Sequence, residues 1–228
     1  MSMRSIALLL AACAALSSLA APARAELKPF TAQYSAKYKG VPASAVMVLA
    51  PRGNQWTLAM NVENLAASMS QATFFTQSRT GLLMPLGGSD KASYVGQRKT
   101  VPARFDWKAM QAGWSGDAKP SRRGPVPIRA GDVDGLLLQL ALAQDVPAGK
   151  PLNYRVIENG KARPMSFRRA GTENVTVNGH SLAATKVVSA ADGKTTTAWI
   201  VAGVPVPVRI VQAEGGSETI SLRLTSWK

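Results

Sequence analysis

The chain has 228 residues, and its 27 lysines and arginines against 13 aspartates and glutamates give a formal net charge of +14. A single cysteine, Cys13, and a single histidine, His180, exclude a disulfide framework and leave too few ligands for a cysteine–histidine zinc site. Hydrophobic residues make up 46% of the chain, which excludes a disordered protein and predicts a buried core.

The first 25 residues have the three parts of a secretory signal peptide. Arg4 supplies a positive charge, residues 6–20 are rich in Ile, Ala and Leu, and Ala23-Arg24-Ala25 offers small residues to a signal peptidase. We therefore expect cleavage after Ala25, a single mature domain over residues 26–228, and a periplasmic location. In the alternative, Leu10-Ala11-Ala12-Cys13 acts as a lipobox and Cys13 carries a lipid anchor.

The first half of the mature chain has the pattern of β-strands. In residues 30–38, Phe30, Ala32, Tyr34, Ala36 and Tyr38 alternate with polar residues, as in a strand with one buried face. Further strands are predicted at residues 44–49, 55–62, 69–80, 91–97, 103–107 and 111–114. Turn residues such as Pro51-Arg52-Gly53-Asn54 separate them.

Residues 134–144 interrupt this pattern with a run of leucine and alanine that contains no β-branched residue. This composition predicts a helix, with either Asp132 or Asp134 as its N-cap. The five leucines at 136, 137, 138, 140 and 142 leave little polar surface, so the helix is expected to be buried on most sides.

Strands are predicted again at residues 152–158, 161–169, 174–177, 181–190, 194–201, 206–212 and 217–227. Asn159-Gly160, Asn178-Gly179 and Asp192-Gly193 are strong hairpin turns, so the sheet is expected to be antiparallel. We predict a mainly β fold in which an antiparallel sheet curls into an open or spiral barrel around one buried apolar helix. The alternative is a two-sheet sandwich with the helix at one end.

Four segments carry a resemblance to a known family. They are residues 30–40, the strand Phe105-Asp106-Trp107, the helix at 134–142, and residues 195–210 with Thr195-Thr196-Thr197-Ala198-Trp199. With these segments the chain resembles the bacterial periplasmic family of domain of unknown function 3108. The resemblance implies an exported envelope protein with no assigned activity and brings no catalytic residues. In outline the expected architecture is also similar to the incomplete barrels of periplasmic lipoprotein carriers, an analogy of fold alone.

Enzyme chemistry has little support in the sequence. His180 follows Asn178-Gly179 in a predicted turn, and no Gly-x-Ser-x-Gly motif accompanies it. Asp132 and Asp134 would suit an acid–base pair, but their place before an apolar helix favours capping. The chain has no phosphate loop and no dinucleotide fingerprint. We therefore expect a protein that is not an enzyme and has no metal or other cofactor.

The segment between residues 91 and 129 concentrates basic charge, with nine lysines and arginines against Asp106 and Asp117. Arg98-Lys99 and Arg122-Arg123 lie at predicted loops or turns, where they would meet an anionic partner; the other interpretation is a solvated face. Trp107 and Trp114 lie in the same segment, and we expect both in the core. Export makes nucleic acid an unsuitable partner, whereas anionic lipids and lipopolysaccharide-like amphiphiles are present in the envelope.

The apolar residues of the chain offer a second kind of site. The helix leucines, with Trp56, Met60, Phe74 and Phe75, would either line a pocket for an acyl chain or fill the core completely. Three hypotheses follow for function. The first is a non-catalytic envelope protein that binds an amphiphile or an anionic envelope component. The second is a protein that docks on another envelope protein through a strand edge, and the third is an unfamiliar hydrolase that uses Asp132 and Asp134.

Overall fold

The computed structural model describes residues 26–191 and 193–228. The predicted signal peptide, its cleavage after Ala25 and the alternative lipid anchor at Cys13 lie outside the described residues. Asp192 of the third predicted turn also lies outside them. The described residues form sixteen strands, one α-helix and one short 3-10 turn at Pro120–Arg122.

The strands before the helix are β1 (Phe30–Tyr38), β2 (Val41–Arg52), β3 (Gln55–Glu63), β4 (Ala67–Gln77), β5 (Leu83–Tyr94), β6 (Gln97–Asp106), β7 (Gln111–Trp114), β8 (Val126–Pro127) and β9 (Asp132–Val133). The helix α1 spans Gly135–Asp145. The strands after it are β10 (Asn153–Glu158), β11 (Lys161–Ser166), β12 (Arg168–Val177), β13 (His180–Ala191), β14 (Lys194–Ile200), β15 (Arg209–Glu214) and β16 (Ser217–Trp227).

Thirteen strands form one antiparallel sheet in the order β12-β13-β14-β15-β16-β1-β2-β3-β4-β5-β6-β7-β8. Its end strands, β12 and β8, are not paired with each other in the part of the chain that the structure describes, so the sheet is open. A second sheet has the order β11-β10-β9. The predicted fold class is confirmed: the protein is mainly β, with one large open antiparallel sheet and one buried apolar helix. The sandwich alternative is not adopted.

One face of the large sheet, which we call the inner face, packs against α1 and the small sheet. The sequence alternation of β1 places Ala32 and Tyr34 on this face, and both are buried. Phe75 of β4 joins them, together with Leu136 and Leu137 of α1, in a single core cluster. Phe75, Leu136 and Leu137 are almost completely removed from water, so the burial of apolar surface holds the helix to the sheet.

Several predicted strand bounds differ from the structure, including the start of β6, which lies at Gln97 instead of residue 103, and three of the differences have a clear physical cause. Residues 91–97 were predicted as one strand, but β5 already begins at Leu83 and the chain turns at Val95-Gly96. The sequence hides the start of β5 because Gly87-Gly88 resembles a loop. A Cβ on Gly88 would lie 2.3 Å from the carbonyl oxygen of Ala72, so the glycine serves a close approach of two strands.

The other two differences come from changes of path. Residues 161–169 were predicted as one strand, but they divide at Phe167 between β11 of the small sheet and β12 of the large sheet. The strand predicted at 206–212 begins later, at Arg209, because Pro205 and Pro207 have no N–H to donate to a sheet.

Candidate functional site

Asp132 is the first of the two carboxylates considered for acid–base chemistry. It is 1% exposed and forms an ion pair with Arg155, its neighbour on β10. Its Oδ2 also accepts a hydrogen bond from the backbone N–H of Arg129 at 2.8 Å. These contacts give Asp132 a structural role in joining β9 to β10.

Asp134 is the N-cap of α1, which decides between the two predicted caps. Its Oδ1 accepts hydrogen bonds from the backbone N–H groups of Leu136 and Leu137 at 3.1 and 2.7 Å. Its Oδ2 accepts the hydroxyl of Thr73 on β4 at 2.5 Å. The carboxylate therefore ties the start of the helix to the inner face of the sheet.

Replacing Asp134 tests this cap through the pH dependence of stability. Burial raises the pKa of Asp134 from 3.8 to about 6, although its hydrogen bonds favour the ionised form. Since the pKa is higher in the folded state, this carboxyl contributes stability that is complete at the lowest pH and is lost as the pH rises towards 6. Asp134→Asn keeps a capping oxygen but has no carboxyl to titrate. We therefore expect it to remove this pH-dependent loss of stability, which is at most about 3 kcal/mol.

The measurement is urea unfolding of both proteins at about pH 4 and about pH 7. Asp134→Ala is the control, because it loses the cap and should cost about 1 kcal/mol at neutral pH. An equal pH dependence in the native protein and in Asp134→Asn would contradict the prediction.

The predicted basic residues fall into two environments. Arg122 donates from Nη1 to the carbonyl oxygen of Asn159 at 3.2 Å. Arg123 donates from Nε to the carbonyl oxygen of Ala118 at 3.1 Å, so both arginines hold loops together. Arg98 and Lys99 were predicted at a loop or turn, but they lie in strand β6, where they are exposed and form no ion pair within the described chain.

The two tryptophans of the basic segment are packed. Trp114 is buried in a second hydrophobic cluster, where its ring meets Phe105 edge to face with centroids 6.4 Å apart. Trp107 packs against the same cluster and donates from Nε1 to the carbonyl oxygen of Pro85 at 2.7 Å. His180 is exposed at the start of β13, directly after the predicted turn.

Three hairpin turns lie side by side at one end of the large sheet. They follow β1, β3 and β5, which run in the same direction because alternate strands of an antiparallel sheet are parallel. We call this end the hairpin rim. Its apolar residues are Tyr38, Val41, Leu65, Met69, Tyr94 and Val95, and its basic residues are Lys37, Lys39, Lys91, Arg98 and Lys99.

The apolar pattern of the inner face continues past the core to the rim. On β1, Tyr34 and Ala36 are buried, and Tyr38, two residues further on the same face, is 56% exposed. Its partner on β2 is Val41, which is 53% exposed. Sequence reasoning missed this strip, although the unbroken alternation from Phe30 to Tyr38 was its signal.

A second exposed position lies on β4. Met69 shares the inner face with buried Phe75 and is itself 61% exposed. It pairs with Val62 on one side and with Ala92 on the other, and Ala92 pairs with Lys99. Paired residues point to the same face of a sheet, so Lys99 stands at the end of the apolar strip.

The turns of the rim add further apolar surface. Leu65 and Val95 project from neighbouring turns, and Val95 is 88% exposed. An open groove of about 770 Å³ separates these turns and is lined by residues 63–68 and 93–98. The lining of the groove contains one acidic residue, Glu63, and one basic residue, Arg98. The rim as a whole has five basic residues, so its net charge is positive.

The expectation for the helix leucines is met in part. All five helix leucines are buried in the core cluster that also contains Phe75 and Met60, and Trp56 packs against that cluster. Phe74 was expected with them, but the strand alternation turns it to the opposite face, where the Arg52 guanidinium lies 4.4 Å from its ring centroid.

Residues 26–191 and 193–228 contain no group of three or more histidine, cysteine or acidic side chains arranged to bind a metal ion. The same residues contain no helix with the length and apolar character needed to cross a membrane.

The fold and the rim together define a class: an open antiparallel sheet that covers one apolar helix and carries an exposed apolar and basic edge. The chain belongs to the family described as protein of unknown function (DUF3108), whose model matches residues 33–223. The family membership agrees with the resemblance seen in the four sequence segments.

Other comparisons add little. No curated protein matches the chain. A solved structure described as "Structure of PNGF-II in C2 space group" is similar at 10% sequence identity with a TM-score of 0.32. The match covers 89% of this chain and 28% of that one, so the chain spans less than a third of the length of that protein.

Proposed function

We propose that this chain is a non-catalytic cell-envelope protein that binds an anionic amphiphile at the hairpin rim. The observation that carries the proposal is the apolar strip of the inner face, which leaves the core, reaches solvent at Tyr38, Val41 and Met69, and ends beside Lys99. The periplasmic location rests on the N-terminal sequence, where the pattern of a signal peptide precedes the described domain.

Apolar and basic groups occur together at the rim, as an amphiphile requires. Exposed apolar side chains grouped at one end of a domain are typical of an interaction surface. The basic residues around them suit phosphate head groups, each contributing about 1 kcal/mol near an anionic lipid surface. The packed helix leucines favour binding at this surface over binding of an acyl chain inside the core.

The test is co-sedimentation of residues 26–228 with lipid vesicles. The anionic vesicles contain phosphatidylglycerol and phosphatidylethanolamine in equal parts, and the neutral vesicles contain phosphatidylcholine. We expect binding to the anionic vesicles that weakens as salt is added, because salt screens exposed charges. Leu65→Asn with Val95→Asn should weaken binding at least about tenfold, since an inserted apolar side chain contributes roughly 1.5–3 kcal/mol.

Matched controls exist at the opposite end of the sheet. Leu82→Asn and Arg79→Gln change an exposed leucine and an exposed arginine in the turn between β4 and β5. They should bind as the native protein does, whereas Arg98→Gln with Lys99→Gln should lose affinity and part of the salt dependence, because three of the five basic residues of the rim remain. Equal binding by rim variants and controls, or no binding to anionic vesicles, would overturn the proposal. Lipid-free capture of one envelope protein would instead favour docking through a strand edge.

A further inference from the structure

We propose a second binding site, separate from the rim, in which Arg209 and Arg223 hold a dianionic phosphate group. The two arginines are direct partners on neighbouring strands β15 and β16. On the other side of Arg209, its partner on β14 is Trp199, and the partner of Trp199 on β13 is Lys186. Cross-strand partners point to one face, so these four side chains form a continuous row.

Arg209 is held in place by packing instead of by an ion pair. Its guanidinium lies 4.5 Å from the ring centroid of Trp199, and Trp199 is buried. The Nε of Arg209 is buried, and no N–H of this guanidinium has an acceptor within the described chain. A buried donor without an acceptor costs free energy, so this position calls for an anion that the protein itself does not provide.

The nearest carboxylate is already engaged. Glu173 of β12 accepts the ammonium of Lys186 through Oε1 and the indole N–H of Trp199 through Oε2, each at 2.7 Å. These hydrogen bonds lower the pKa of Glu173, and Arg209 adds a weaker electrostatic effect. Glu173 therefore pairs with Lys186 and orients Trp199, while Arg209 and Arg223 form no ion pair within the described residues.

Two like charges directly opposite each other destabilise an antiparallel pair. Arg223 is exposed and forms no ion pair in the part of the chain that the structure describes, so it is free to turn towards a ligand beside Arg209. Two guanidinium groups match the charge of a phosphate monoester better than that of a single carboxylate, and arginine binds phosphate oxygens in a bidentate manner.

The experiment titrates inorganic phosphate into ¹⁵N-labelled residues 26–228 and follows the indole N–H resonance of Trp199. Ionic strength is kept constant with chloride. We expect a saturable shift of this resonance, because the ligand contacts the guanidinium stacked on the ring. Trp199→Phe identifies the resonance. Arg223→Gln should weaken phosphate binding roughly tenfold or more, as expected for loss of a charge-assisted contact.

The controls separate this site from the rim. Arg168→Gln removes another exposed arginine near the start of β12, and Arg98→Gln with Lys99→Gln removes rim charges. Both should bind phosphate as the native protein does. No saturation, or equal loss in Arg223→Gln and in the controls, would overturn the site while leaving the vesicle test unaffected. Because Arg223 is exposed, an unchanged unfolding midpoint for Arg223→Gln would show that the loss is not a folding defect.

Discussion

Gly160→Ala is expected to unfold at a much lower urea concentration than Gly179→Ala, although both replace the glycine of an Asn-Gly hairpin turn. The two turns share backbone geometry: φ is 50° at Asn159 and at Asn178, 68° at Gly160 and 78° at Gly179. Alanine in this left-handed conformation costs about 1–2 kcal/mol at either site. The backbone strain is therefore the same, and the surroundings decide the difference.

Those surroundings differ sharply. A Cβ on Gly160 would lie 2.4 Å from the carbonyl oxygen of Arg122, whereas a Cβ on Gly179 would meet nothing within 4 Å. To relieve the contact, the 3-10 turn must move away from the hairpin between β10 and β11. Overpacking of this kind costs roughly 1–3 kcal/mol, which adds to the backbone strain in Gly160→Ala alone. Urea unfolding of the two variants measures the difference, and equal midpoints would show that the turn and the hairpin are not in close contact.

The elements that sequence reasoning located well are those whose signal is local. β1 and β7 begin and end where the alternation and turn residues placed them, and α1 is displaced by one residue. Capping, alternation and Asn-Gly turns all act within a few residues, so they can be recognised without knowledge of the fold. The start of β5 was missed because the reason for Gly88 is the oxygen of Ala72 on another strand.

The candidate sites show the same limit. Arg98 and Lys99 were recognised as exposed charges, but Tyr38, Val41 and Met69 are ordinary strand residues until the strand register brings them to one face and one end of the sheet. Likewise, Trp199 was noted as part of a family pattern without a role, because its partner Arg209 belongs to another strand. Pairing between distant segments is not encoded in any local pattern.

Asp132→Asn is also expected to have a large effect and to lower the free energy of unfolding by about 2–3 kcal/mol. The carboxylate is buried, and its partner Arg155 is 24% exposed, so the change leaves a mostly buried guanidinium without a counter-ion. Arg155 keeps a hydrogen bond from Nη2 to the carbonyl oxygen of Pro127 at 2.9 Å, which places the cost below that of a fully buried pair. Asparagine retains an acceptor for the N–H of Arg129, so the variant removes mainly the charge.

The matched control is Glu214→Gln, which breaks the ion pair with Lys194, where each side chain is 59% exposed. This change should cost less than about 1 kcal/mol, because exposed ion pairs contribute little. Equal losses in urea unfolding would show that Asp132 is solvated and does not join β9 to β10. Asp132→Leu combined with Arg155→Met should recover much of the loss, since an apolar pair needs no counter-ion. Such recovery would establish that the loss in Asp132→Asn comes from the unbalanced charge of Arg155.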